Sequence, residues 1–288
     1  MKLAGVVILY HPDKTLLLQN IRSYLSVLDM LYVIDNTALT DSLLAKELKS
    51  LGSNIKYIAN QQNLGIGKAL NKASGLAISD GYTWMLTMDQ DSYFEESQLS
   101  AYNDQFIQLF STRKDVAVIA PSYLDTTFSA LKKNNEYIKV NAVITSGSII
   151  NLDIWKKLNG FDEKLFIDEV DHEYCYRANT HNFEVNQFQN IYFKHQLGKS
   201  KVAGYFGSIA KRSRIIHSPE RVYFMVRNYL FIRKKYKAAM AAEFKKRDAE
   251  VLNFVKNNLF FSGNFIKNFK SIVNGFIDYK KGDFSAKI

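Results

Sequence analysis

The sequence predicts an α/β protein built on a mixed, mostly parallel sheet flanked by helices, followed by a helical, basic C-terminal extension. Three observations carry this. Over the first 120 residues, short β-branched runs alternate with helical patterns, the signature of βαβ units. No window approaches the roughly 18 uninterrupted apolar residues of a spanning helix. Charge is also divided unevenly: residues 1–198 hold 18 Lys+Arg against 22 Asp+Glu, whereas 199–288 hold 20 against 6.

The elements follow in order. Residues 3–10 read as a buried strand ending at Pro12, and 14–28 as a helix with Leu17, Ile21, Tyr24, Leu25 and Leu28 on one face. Strands are expected at 31–35, 55–59 and 84–89. The intervening helices lie around 41–50, with Asp41 as a plausible N-cap, and over 63–79, where Ile66, Ala69, Leu70, Ala73, Leu76 and Ala77 keep helical spacing. Beyond 115 the pattern predicts strands at 116–120, 140–150 and 190–195, and a short helix at 152–158. Residues 161–177 read as a loop running into an acidic helix, and three further helices are expected at 221–236, 238–257 and 264–279. The expected organisation is a domain at 1–217, halved near 114, and an extension at 218–288.

Composition narrows the function. The 288 residues include one Cys, which excludes an internal disulfide and any multi-Cys zinc site and makes a reducing compartment the simplest home. The apolar stretch at 3–10 is too short for a leader and lacks a cleavage site, so a cytoplasmic protein, soluble or peripheral to a membrane, is expected.

In a parallel sheet, ligands gather outside the carboxyl ends of the strands. Four places qualify: Tyr10 with His11 and Pro12; Asp35 with Asn36; 60–68; and Asp89, Gln90 and Asp91. Two carboxylates one residue apart can hold a hard divalent cation that binds a diphosphate, or can merely end a strand in a turn. Asp35 can accept the imide N–H of a pyrimidine base or simply close its strand. The run Asn63, Leu64, Gly65, Ile66, Gly67, Lys68 opens a helix where backbone N–H groups and Lys68 can meet phosphate. It is neither a dinucleotide fingerprint nor a Walker A loop, which argues against dehydrogenase and ATPase chemistry. A second acidic cluster comprises Asp162, Glu163, Asp168, Glu169, Asp171 and Glu173. If helical, Asp168 and Asp171 share a face and can direct a base inward, although acids in a first helical turn also complement the dipole.

These segments, with Thr145, Ser146, Gly147, residues 160–163, 166–177 and His195 in the same order, resemble a family 2 inverting glycosyltransferase of the GT-A fold, most of all its rhamnosyltransferase branch. The resemblance covers about residues 1–235. It implies that Tyr10 and Asp35 contact the nucleobase, that Asn63 and Lys68 lie beside the nucleoside and diphosphate, and that Asp89 lies near the ribose. Asn36, Gly65 and Gln90 belong to the same donor-binding set. Asp91 and His195 would bind Mg²⁺ or Mn²⁺, and Asp171, six residues before Arg177, falls where the family places its base. The usual Glu-Asp pair is Val170-Asp171 here, with Asp168 as the replacement acid. Thr145, Ser146, Gly147, Asp168 and Glu173 would face the donor sugar and acceptor.

The expected reaction is a metal-assisted single displacement from dTDP-rhamnose to a hydroxyl of a lipid-linked cell-surface polysaccharide. UDP-hexose or UDP-galactofuranose donors are the alternatives. A nucleotidyltransferase would need a Gly- and Arg-rich loop after the first strand, which is absent. A non-catalytic nucleotide- or glycan-binding module would not need Asp91, Asp171 and His195 together. In the C-terminal helix, Phe265, Phe269, Ile272 and Phe276 form one apolar side, with Lys267 and Lys270 elsewhere. This helix packs on the catalytic domain, meets an anionic membrane at the inner face of the cell membrane, or binds a second subunit. No nucleic-acid-binding pattern accompanies the charge.

Overall fold

The computed structural model describes residues 2–39, 42–123, 137–195, 200–203 and 212–285. The chain forms two compact units, Met1–Glu163 with Asp171–Gln196, and Lys164–Val170 with Leu197–Ile288.

In the first unit, β1 (Ala4–Leu9), β2 (Met30–Asp35), β3 (Ile55–Ala59) and β4 (Trp84–Asp89) are parallel in the order β3-β2-β1-β4. Nearly every residue of β1, β2 and β4 is buried. That is the condition of strands covered on both faces, and it explains their continuous apolar runs. The covering helices are α1 (Lys14–Leu25), α2 (Ser42–Leu51) and α3 (Ile66–Ser79). Asp13 caps α1 by accepting from the Leu16 N–H. α3 starts three residues later than the apolar pattern suggested, because Asn63 Oδ1 accepts from the Gly65 N–H in a turn that precedes the helix. Asp41, expected to cap α2, lies outside the described residues.

The other half of the sheet departs further from expectation. After β4 come a two-residue strand β5 (Ser92–Tyr93) and a helix α4 (Glu96–Leu109), neither of which is among the elements expected from the sequence. α4 buries only Leu99, Tyr102 and Phe106, too sparse a stripe to stand out among its polar residues. Next are β6 (Val116–Tyr123), β7 (Tyr137–Lys139), β8 (Ser148–Asn151), α5 (Leu152–Lys157), α6 (Val170–Thr180) and β9 (Glu184–His195). The single strand expected over 140–150 is instead a loop entering β8. Gly147 interrupts it at φ 77°, and a Cβ there would lie 3.0 Å from Pro121 Cγ. β9 starts six residues before the expected strand because its Asn- and Gln-rich first half is nonetheless anchored by buried Val185, Asn186 and Phe188. The sheet continues β4-β8-β6-β9-β5 with mixed directions, and β7 pairs with β9.

The second unit contains a hairpin, β10 (Ser200–Ala203) with β11 (Arg212–Ile215), and three helices: α7 (Pro219–Tyr236), α8 (Ala241–Phe261) and α9 (Phe265–Lys281). Ser218 caps α7 ahead of Pro219, the favoured N-terminal pair. Arg227 is fully buried in this unit, its guanidinium stacked within 5.0–5.2 Å of the Tyr223, Phe224 and Phe284 ring centres. Asp248 accepts from Tyr229 Oη and twice from Arg233, which together hold α8 on α7.

α9 packs the opposite way from an ordinary amphipathic helix. Its buried residues are Asn268, Gly275 and Asp278. Gly275 allows the close approach to α7, since a Cβ there would meet the Tyr223 carbonyl oxygen at 2.8 Å. Asn268 Nδ2 donates to the Asn258 carbonyl, and Tyr223 Oη donates to Asp278. Phe265, Ile266, Phe269, Val273, Phe276 and Ile277 are all exposed, Ile266 by 79%.

Candidate active site

The strand order reverses between β1 and β4, so their carboxyl ends form the switch-point crevice where ligands bind in such sheets. Tyr10 ends one side of it, 46% exposed, with its ring edge against His11. Asp89, Gln90 and Asp91 end the other side. Gln90 spans the crevice: its Oε1 accepts from the Tyr10 N–H at 2.9 Å and its Nε2 donates to the Tyr10 carbonyl at 3.2 Å. Asn20, buried in α1, donates to the Gln90 carbonyl at 3.0 Å. The Gln90 amide therefore binds the chain rather than facing outward, and its effect on a ligand passes through Tyr10.

Asp35 is also committed internally. Only 1% exposed, it accepts from the Thr37 N–H at 2.8 Å and from Tyr57 Oη at 2.6 Å. Thr37 Oγ1 in turn accepts from the His11 N–H at 3.0 Å. The carboxylate thus sits beneath the crevice and props the Tyr10–His11 turn. Asn36, equally buried, donates to the Gly65 carbonyl and accepts from Asn60, which fixes the loop before α3. Asn63 and Gly65 form the turn already described, and Lys68 projects into solvent from the first turn of α3.

The loop entering β8 meets the same place. The Ser146 hydroxyl accepts from the Asp89 N–H at 3.2 Å. Thr87 Oγ1 donates to the Thr145 carbonyl, the Gly147 N–H donates to the Thr87 carbonyl, and Tyr102 Oη donates to the Gly147 carbonyl. Asp171, in the first turn of α6, accepts from the Thr145 N–H at 3.3 Å. Adjacent residues of one loop therefore tether Asp171 and the start of the Asp89–Asp91 turn. Burial raises the Asp171 carboxyl, but the His172 ring at 3.1 Å and the His172 and Thr145 N–H groups outweigh this and hold it below the ordinary aspartate value. Asp171 is ionised at neutral pH, and its side chain is still 22% exposed.

Two predicted sugar-facing acids are placed elsewhere. Glu173 is fully buried and paired with Arg177 Nη2 at 2.8 Å, while Arg177 also donates to the Leu158 and Gly160 carbonyls. Asp168 precedes α6 at φ 62° instead of sharing its face with Asp171, and it accepts from Arg221 at 3.0 Å. Cys175 is buried and its thiol is pushed up to about 12, chiefly by burial, so it is unreactive.

For a divalent cation, the donors at hand are the half-buried Asp89 and Asp91. β5 pairs antiparallel with the end of β9, so that Ser92, next to Asp91, lies opposite His195 in the ladder. The His195 side chain lies outside what is described. Among the described residues no three His, Cys, Asp or Glu side chains come together as a metal site. A Mg²⁺-type ion needs only one or two protein carboxylates when diphosphate oxygens and water complete its shell, so the Asp-x-Asp turn fits it.

Residues 6–158 match the family described as Glycosyl transferase family 2. The chain belongs to glycosyl transferase family 2. This family 2 glycosyltransferase is 26% identical over 257 residues to a dTDP-rhamnosyl transferase, RfbF, of Shigella flexneri, covering 81% of this chain and 80% of that one. Among solved structures it is similar to S. aureus TarS 1–349 in complex with UDP-GlcNAc, with a TM-score of 0.60 at 17% identity over 97% of this chain and 80% of that one. It is also similar to the mannosyltransferase PcManGT of Pyrobaculum calidifontis in complex with GDP-Man and Mn²⁺, with a TM-score of 0.58 at 10% identity over 100% of this chain and 76% of that one. These likenesses establish the GT-A fold.

Several residues that build the site lie outside the motifs read from the sequence: Asn20, Thr37, Tyr57, Thr87, Tyr102 and His172. One signal was available. Asn20 stands on the apolar face of α1 between Leu17, Ile21 and Tyr24, and a polar side chain there must find a partner.

Proposed function

We propose that this glycosyltransferase transfers L-rhamnose from dTDP-rhamnose to a hydroxyl of a growing, lipid-linked cell-surface polysaccharide, with inversion, and that Asp171 is the base. The observation that carries the reading is the pair of tethers on adjacent loop residues, Thr145 to Asp171 and Ser146 to Asp89. They bring an ionised, partly exposed carboxylate and the candidate diphosphate-binding turn to one loop.

Each residue then has a task. Tyr10 offers its exposed ring to the nucleobase, with Gln90 and Asp35 holding it from behind. Lys68 and the backbone N–H groups that open α3 meet the diphosphate, with Asn36, Asn63 and Gly65 shaping that loop. Asp89 lies toward the ribose. Asp91 and His195 would hold Mg²⁺ or Mn²⁺, which when bound offsets charge on the leaving diphosphate. Asp171 accepts the proton of the acceptor hydroxyl as that oxygen attacks the anomeric carbon, a contribution of roughly 10²–10⁴-fold. Thr145, Ser146 and Gly147 form the wall beside the reacting sugar. The likeness to RfbF across four-fifths of both chains favours dTDP-rhamnose over UDP-hexose or UDP-galactofuranose.

The reading extends to location. No helix among the described residues is long and apolar enough to cross a membrane. α9 buries its polar stripe and exposes its phenylalanines, with Lys267, Lys270, Lys280 and Lys281 on the same helix, which suits docking in the interface of an anionic bilayer. Each lysine near such a surface adds roughly 1 kcal/mol. A panel of dTDP-rhamnose, UDP-glucose, UDP-galactofuranose and GDP-mannose with Mg²⁺ or Mn²⁺ and a lipid-linked acceptor tests the donor. Turnover with dTDP-rhamnose alone is expected, and turnover with a UDP-sugar instead would overturn that assignment.

A further inference from the structure

Residues 164–170 run directly into α6, and several ties on this segment lead to α7 and α8. Phe166 stacks on Phe224 with ring centres 5.3 Å apart. Asn228, fully buried, donates through Nδ2 to the Ile167 carbonyl at 2.7 Å and the Asp168 carbonyl at 3.2 Å. Arg221 donates to the Asp168 carboxylate through Nε and Nη2 at 3.0–3.4 Å. Arg247 donates to Glu169 Oε1 at 2.6 Å, and these two side chains are only 10% and 8% exposed. The Arg247 guanidinium also lies 5.5 Å from the Tyr229 ring centre.

The backbone held in this way is unusual. Asp168 and Glu169 are consecutive non-glycine residues in the left-handed region, at φ 62° and 66°. Side chains with a Cβ disfavour that conformation, and two in succession persist only where the surroundings over-determine them. Val170 is the first residue of α6 and Asp171 the second. The left-handed pair therefore stands immediately before the first turn of α6, with only Val170 between it and Asp171.

We propose that Arg247, Asn228 and Arg221 are positioning residues for Asp171, acting through Glu169 and Asp168. The proposal rests on the reading of Asp171 as the base. It assigns the acids at 168 and 169 to shaping the backbone rather than to binding sugar, with residues of α7 and α8 holding that backbone. The buried Arg247–Glu169 pair carries most of the effect, because the half-exposed Arg221 is screened by solvent.

The test uses the full chain with Arg247→Met, the isosteric Glu169→Gln and the conservative Arg247→Lys. Hydrogen exchange is read at the amides of residues 173–176, whose helical bonds run to the carbonyls of the first turn of α6, with α3 as the internal reference. Exchange there should quicken by about tenfold or more in Arg247→Met and Glu169→Gln while α3 is unchanged, and should recover in Arg247→Lys. The turnover number should fall by up to about 10²-fold with the donor KM held, since a displaced base costs rate rather than donor binding. Unchanged exchange at 173–176, or equal loss of protection in α3, would overturn the proposal. If the wild type transfers no sugar, the functional reading fails while the exchange comparison still decides the positioning claim. Glu169→Gln keeps the test open should Arg247→Met not fold.

Discussion

Replacing Gln90 with leucine cuts the clasp across the crevice while preserving side-chain bulk. Two hydrogen bonds are lost, at 2.9 and 3.2 Å to the Tyr10 N–H and carbonyl. Each is worth about 0.5–1.5 kcal/mol net. Tyr10 is 46% exposed, so water re-solvates its backbone and the sum falls at the low end, about 1–2 kcal/mol. With 1.4 kcal/mol per factor of ten, the donor KM and the dTDP dissociation constant should each rise about five- to thirtyfold. Asn20 still holds the carbonyl of residue 90, so Asp91 keeps its place and the turnover number should change little. Steady-state kinetics with varied donor, together with calorimetric titration of dTDP, separates the two quantities. Unaltered nucleotide affinity, or a fall in turnover at constant KM, would refute the view that Gln90 works through Tyr10.

Arg177→Met strands the fully buried Glu173 carboxylate and releases the Leu158 and Gly160 carbonyls, so denaturant unfolding should show a loss of about 3–5 kcal/mol. Phe269→Glu with Phe276→Glu puts charge on the exposed face of α9; flotation with anionic vesicles should be lost while the circular dichroism spectrum stays that of the parent. Burial first, then the nearby Arg221, lowers His217 from 6.5 to about 4, so the folded protein holds it neutral. Its share of stability is complete above pH 6.5 and is lost as pH falls toward about 4, because the unfolded chain takes up the proton first. Allowing for screening at this partly exposed ring, that share is about 1–2 kcal/mol, and His217→Asn should flatten the stability–pH curve over this interval.

The first four strands and three helices were legible because each has a single strong period and an apolar run of fitting length. Legibility ended where burial is carried by polar residues or by a few aromatic ones. α4 shows only Leu99, Tyr102 and Phe106 to the core, and β9 begins among Asn and Gln. α9 is the sharpest instance. Its periodicity announced amphipathicity correctly but not which stripe is inside, because Gly275 and the hydrogen-bonded Asn268 and Asp278 make the polar side the packed one.

At the site, the motifs marked the neighbourhood but not what each side chain does. Asp35, Asn36 and Gln90 were expected to touch the donor, and in the structure their polar atoms form hydrogen bonds within the chain. A sequence shows which residues stand at strand ends. It does not show that Tyr57, 22 residues on, reaches back to Asp35, or that Arg221 and Arg247 take the acids at 168 and 169. Such long-range polar pairs have no period to read.

We read Asp171 as the base of an inverting sugar transfer. Asp171→Asn keeps the size of the side chain and an acceptor for the Thr145 N–H. Single-turnover transfer from dTDP-rhamnose to the acceptor hydroxyl, measured beside dTDP affinity, should show the rate falling by about 10²–10⁴-fold with affinity unchanged. Transfer at the parental rate in that variant would contradict the account.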